Sequence, residues 1–242
     1  MLPVQLAFAL VPEAVRTIRR TPLKDRFPNR KVSVTLRLPR TLPTLRTVTG
    51  RFTLSPFGPN DVQDLAHILA NDDVWAAGFA DGLLRPASHE EMVRFINQRY
   101  SGLRIFSVHY TRLPGGPLFV GTTGITESHT PTERVKIGRT LVSPAFWGMR
   151  VNHEVKLALL DWVFSCGAGR VECDVNPTNH RSISSLKRFG FTVEGTRRRS
   201  SQRVDGSWRN VVVLSLLREE WPVTKQVALL SFSAQRTSER SL

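Results

Sequence analysis

Apolar positions in this chain recur with two periods, and the switches between them mark the elements. Arg51–Leu54 alternates as a short strand. Asn60 followed by Gln63 predicts a capped helix to about Ala70, and Ser88 with Glu91 repeats that signature for a helix through Tyr100. Arg104–Tyr110 and Leu118–Ile125 read as strands joined by the turn Leu113-Pro114-Gly115-Gly116-Pro117. Val135–Val142 is a further strand, broken at Ser143-Pro144. After a loop containing Gly148, Val155, Ala158, Leu159, Trp162 and Val163 share one helix face, and that helix runs to about Phe164. Gly167 and Gly169 end it, and Arg170–Val175 makes another strand. Asn179 or His180 opens a short helix that Gly190 terminates. Phe191–Arg199 and Arg209–Leu216 form a hairpin through Asp205-Gly206. The alternation describes a mixed α/β domain over residues 49–222, without internal repeats.

Charge changes the picture at the ends. The 242 residues carry a formal net charge of +14, and residues 1–50 hold ten Lys/Arg against two acids. That region, 1–48, is interrupted by Pro3, Pro12, Pro22, Pro28, Pro39 and Pro43 and has no sustained period. It reads as a basic, disordered extension, although an RNA-binding arm or an Arg-rich targeting segment has the same composition. Residues 223–242 are read as a C-terminal tail. The domain between is only mildly basic. No stretch approaches the ~18 unbroken apolar residues of a membrane span. Cys166 and Cys173 fit no common zinc or redox spacing and read as thiols in a reducing compartment, so a cytoplasmic location is expected. The six histidines include no i, i+4 pair, and no metal is expected.

The candidate chemistry begins at Val135–Glu154. A strand, a glycine-bearing loop and a helix N-terminus suit a phosphate, because the first helical N–H groups lack internal partners and the helix dipole favours an anion.

Further residues give that loop a context. The Val142-x-Pro144-x-x-Trp147-Gly148 loop, the Asn179-x-x-Ser182 pair and Leu186-Lys187-Arg188-Phe189-Gly190-Phe191 follow in order. Together they resemble the GNAT superfamily of N-acetyltransferases. The Trp-Gly of the loop, Glu194-Gly195 after Gly-Phe, and Leu217-Arg218-Glu219-Glu220-Trp221 resemble its RimJ/RimL-like branch. The resemblance implies a mostly antiparallel sheet, splayed at the cofactor site and flanked by helices. It implies acetyl-CoA as acetyl donor, with Val142 pairing to the pantetheine arm. Gly148, Met149, Arg150, Val151, Asn152 and His153 would hold the pyrophosphate, and Asn179 and Ser182 would lie near the thiol. It also implies direct attack of a primary amine on the thioester, as on a protein N-terminus or a small molecule.

The chain departs from that pattern at two places. Arg150 stands where the family generally has a second glycine, so it either blocks the phosphate cradle or pairs with a phosphate itself. Leu186 stands at the position of the tyrosine acid of some members, leaving Ser182, Ser185 or water to protonate the thiolate. For the base, Glu172 and Asp174 share one face of their strand. Asp174 lies nearer its end, and Glu127 on the neighbouring strand is the rival. Trp75, Phe79 and Tyr100 either wall the acceptor pocket or belong to the core. Arg197, Arg198, Arg199 and Arg203 form a basic patch suited to weak ribosome or RNA contact, or to a solvated edge. A monomer or a homodimer is expected. The alternative function is a catalytically silent acyl-CoA sensor or an RNA-associated module.

Overall fold

The computed structural model describes residues 35–203 and 206–239. Eight strands form one sheet in the order β1-β2-β3-β4-β5-β6-β8-β7. They are β1 (Leu45–Arg46), β2 (Phe52–Pro56), β3 (Arg104–Tyr110), β4 (Leu118–His129), β5 (Arg134–Val142), β6 (Arg170–Val175), β7 (Thr192–Gln202) and β8 (Trp208–Leu217). Every neighbouring pair is antiparallel except β5–β6. That parallel ladder pairs only Arg134, Val135 and Lys136 with Arg170, Val171 and Glu172, after which the strands part. The mixed, mostly antiparallel and splayed sheet is the one expected.

Helices cover both faces. α1 (Asp61–Leu69), α2 (Asp72–Ala76) and α3 (His89–Tyr100) precede β3, and α4 (Val151–Ser165), α5 (His180–Arg188) and α6 (Trp221–Glu239) follow β5. The larger core joins Phe52, Phe106, Val171 and Leu214 of the sheet to Leu159, Leu186 and Ala228 of α4, α5 and α6. A smaller one joins Ile105, Phe119 and Leu141 on the opposite face to Leu65, Val74 and Ile96 of the first three helices. The period-2 strands and period-3.6 helices meet because each turns one apolar face inward.

The helix starts differ from expectation in one case. Ser88 and Glu91 form the reciprocal capping box of α3. Asn60 does not cap α1, because its own backbone is already helical (φ −67°, ψ −27°) and no side-chain cap forms. The carboxylate of Asp61 accepts the Gly58 N–H instead, at 2.8 Å.

The boundaries drawn at 48 and 223 cut through packed chain. Leu36 is buried in the larger core, Arg37 N–H donates to the Cys166 carbonyl at 2.8 Å, and β1 pairs with β2. Beyond Pro222, α6 puts Ala228 into the same core. The Phe164 and Trp221 rings stack with centroids 5.3 Å apart. The expectation for residues 1–34 falls outside the described residues. Cys173 is buried and Cys166 partly so, both as free thiols.

Candidate active site

The loop after β5 is shaped by its own side chains. The indole N–H of Trp147 donates to the Val142 carbonyl at 2.8 Å and ties the loop to the strand end it leaves. Gly148 takes φ +83°, with nothing within 4 Å of where a Cβ would stand. Arg150 takes φ +60° as N-cap of α4, so the conformation expected of a glycine persists under an arginine. The backbone path is therefore not blocked, at a cost of about 1 kcal/mol for an L-residue. His153 and Glu154 N–H donate to the Arg150 carbonyl at 3.0 and 3.1 Å. No side chain caps α4, and the amides of Val151 and Asn152 precede its first internal bonds.

Two further contacts bring α5 to this loop. The Arg181 guanidinium lies 5.0 Å over the Trp147 ring, and Asn152 Nδ2 donates to Ser185 Oγ at 3.4 Å. Asn179 Oδ1 accepts Ser182 N–H at 2.9 Å and thereby caps α5. Gly148 to His153 thus lead into α4 from the end of β5 at Val142, and α5, with Asn179 and Ser182 at its own start, touches them through Arg181 and Ser185. Asn152 Oδ1 is buried with no hydrogen-bond partner among the described residues. An open helix N-terminus and an unobstructed glycine fit an anionic group such as the pyrophosphate of coenzyme A, whereas the orphaned Asn152 oxygen, an acceptor, suits a ligand N–H or hydroxyl.

Beneath the loop lies a network that no sequence pattern announced. Glu154 is fully buried, accepts the Thr49 hydroxyl, and is held by Arg51 through Nε at 3.0 Å and through Nη2. Arg51 Nη2 also donates to the Met149 carbonyl at 3.2 Å, locking β2 to the loop. An acid in the first turn of a helix was visible in the sequence. Its partners lie about a hundred positions upstream, where local spacing carries no information. Burial, and then the charge of Arg150, pushes His153 down to about 4. The imidazole packs 4.8 Å from the Phe189 ring and is neutral at pH 7.

On the opposite face of the sheet, Lys136 joins the two candidate bases. Its Nζ lies 3.0 Å from Glu127 Oε2 and 3.1 Å from Asp174 Oδ2. Arg134 also binds Glu127, and Arg197 Nη1 reaches Asp174 Oδ2 at 3.3 Å, drawing one member of the hairpin's basic patch inward. The hydrogen bond from Lys136 holds the Glu127 carboxyl below its usual range. Asp174 lies just past the last β5–β6 pair, and its Oδ1 is buried without a hydrogen-bond partner. Ser182 lies in the first turn of α5, with its N–H bonded to Asn179 Oδ1. Trp75 and Phe79 pack edge to face in the smaller core, and Leu186 is buried in the larger one.

Comparison with known proteins converges on the same shape. The acetyltransferase (GNAT) domain family matches residues 51–192. A GCN5-related N-acetyltransferase from Brucella melitensis is 21% identical and superposes with TM-score 0.71, over 82% of this chain and 89% of that one. RimJ of Mycobacterium smegmatis, solved with CoA-disulfide, is 23% identical over 81% and 95%, TM-score 0.61. The spermidine/spermine N-acetyltransferase SpeG of Vibrio cholerae is 14% identical over 71% and 96%, TM-score 0.53. These likenesses concern the fold, and the family match covers more than half of the chain. The chain belongs to the GNAT acetyltransferase family. It is an acetyl-CoA-dependent acyltransferase. Among the described residues no helix is long and apolar enough to cross a membrane, and no group of three or more His, Cys, Asp or Glu is placed to hold a metal ion.

Proposed function

We propose that this enzyme is a RimJ/RimL-like N-acetyltransferase that moves an acetyl group from acetyl-CoA to a primary amine by direct attack. The observation that carries the reading is the opening between β5 and β6, which parts the sheet directly beside the uncapped start of α4. An extended pantetheine arm fits such a gap as an added strand. Its pyrophosphate meets the amides at Gly148 to His153 and the guanidinium of Arg150. The second lone pair of the Val142 carbonyl faces the arm, the first being taken by Trp147.

In the transfer step the neutral amine nitrogen attacks the thioester carbonyl carbon. The C–N bond forms, the C–S bond breaks, the amine proton goes to a carboxylate or through a water to it, and the thiolate takes a proton. Asp174 is the base of choice over Glu127. It stands within the gap and has an oxygen unused by hydrogen bonds, whereas Glu127 is depressed by Lys136 and lies beside the paired part of the ladder. Ser182, at the first turn of α5, supplies the hydroxyl for the thiolate. The acceptor is a protein α-amine or a small-molecule amine, the enzyme works in the cytoplasm, and any ribosome or RNA contact is weak and runs through Arg198, Arg199 and Arg203.

Calorimetric titration with acetyl-CoA, followed by thiol release over a panel of amines, tests this reading. Micromolar binding with turnover on at least one amine is expected, with Asp174→Asn lowering kcat more than KM. Tight binding without turnover on any amine sinks the catalytic reading in favour of a silent acyl-CoA sensor.

A further inference from the structure

Past Lys136 the gap between β5 and β6 has an arginine on either side. Arg139 sits on a β-bulge of β5, with φ +52°, three residues beyond the last β5–β6 pair. β6 ends at Val175 opposite Val212, so Arg209, three residues earlier on the antiparallel β8, lies past the end of β6 in the same direction. Tyr100 approaches from the end of α3. Its buried hydroxyl is 3.2 Å from Thr122 Oγ1, which in turn donates to the Arg139 carbonyl at 2.8 Å.

These groups are unevenly charged. Burial, opposed by Tyr100 and reinforced by the charge of Arg209, pushes the Arg139 guanidinium below its usual range. Arg139 Nε is buried with no hydrogen-bond partner, and among the described residues no carboxylate forms an ion pair with Arg139. A guanidinium partly withdrawn from water, beside a second one and without an acid of its own, is costly until an anion joins it. The carboxylates further down the same face offer no counterweight. Glu127 and Asp174 share Lys136, Glu172 and Glu194 share Arg170, and Arg134 and Arg197 add further cations.

We propose that Arg139 and Arg209 bind an anionic group of the acetyl acceptor, a carboxylate or phosphate carried on the same small molecule as the primary amine. The proposal rests on the gap being the transfer site. With the anion held at the bulge, the amine lies deeper in the gap, toward Asp174. The same arrangement selects against polyamines, since a polycation meets the partly buried guanidinium of Arg139 at the mouth and only carboxylates already paired with Lys or Arg beyond it.

The test uses the full chain saturated with coenzyme A, so that the pyrophosphate site is filled. Inorganic phosphate, N-acetyl-β-alanine and N-acetyl-β-alaninamide are titrated into wild type, Arg139→Gln, Arg139→Lys and Arg209→Gln. The anions are expected to bind about tenfold or more tighter than the amide, in line with charge-assisted hydrogen bonds. That advantage is lost in Arg139→Gln and Arg209→Gln and largely kept in Arg139→Lys, while the unfolding temperature does not fall below that of wild type and acetyl-CoA affinity is unchanged. In thiol release, β-alanine or O-phosphoethanolamine should show a lower KM than β-alaninamide or spermidine, and whichever anion wins identifies its chemistry. Equal affinities for anion and amide, an anion affinity unmoved by Arg139→Gln, or spermidine as the best acceptor overturns the proposal. Anion binding at Arg139 without turnover of any amine supports the anion site and counts against acetyl transfer, so the two failures are told apart.

Discussion

A left-handed backbone costs an L-residue about 1 kcal/mol relative to glycine, and Arg150 bears that cost at the mouth of α4. Its guanidinium is attracted by the buried Glu154 carboxylate and, as a cation beside the helix start, is placed to meet a phosphate. Arg150→Gly relieves that backbone cost but also removes the attraction to Glu154, and should leave the unfolding temperature of the free enzyme within about 2–4 °C of wild type. The same change should weaken acetyl-CoA binding in calorimetry. His153, three residues on, makes a pH prediction. Its folded value of about 4 lies below the ordinary 6.5, so the unfolded chain takes up the proton first as pH falls. The stability from keeping it neutral is whole above pH 6.5 and drains away toward pH 4, by at most about 3 kcal/mol. Urea denaturation at about pH 7.5 and about pH 4.5 should show a smaller difference for His153→Gln than for wild type.

Elements were legible where their signals were local. Ser88 and Glu91 are three residues apart and need no distant partner, so the capping box could be read and is present. Ser88→Ala should cost about 1 kcal/mol, measured as a lower denaturation midpoint with an unchanged m-value. Asn60 and Gln63 have the same spacing, but a preceding turn at Gly58-Pro59 had already begun the helix. α2 and β1 are five and two residues long, too short for any period to show. The start of α6 reads as tail because its helical face is defined by what it meets, Phe164 and the larger core. The turn from β5 through Gly148 into α4 was legible for the same local reason as the capping box. The clamp of Thr49, Arg51 and Glu154 was not, nor was the sharing of Lys136 between Glu127 and Asp174. In both, the partners meet only once strands far apart in sequence are laid side by side.

At the scale of the whole molecule, the packed chain begins before the position that composition suggested. A protein starting at residue 49 lacks buried Leu36 and both residues of β1, whereas one starting at Thr35 keeps them. The shorter protein should unfold at a measurably lower temperature in calorimetry. The sheet also has an uneven seam. β1–β5 form one antiparallel block and β6–β8 another, and the blocks are stitched by three residue pairs where neighbouring ladders have six or more on either side. Amides along Ile137–Val142 and Cys173–Val175 should consequently exchange with deuterium sooner than those of β3 or β8, by opening that never becomes global unfolding. A substrate lying in the seam would act as mortar between the blocks. Saturating acetyl-CoA should slow exchange on both lips at once, far beyond the atoms it touches.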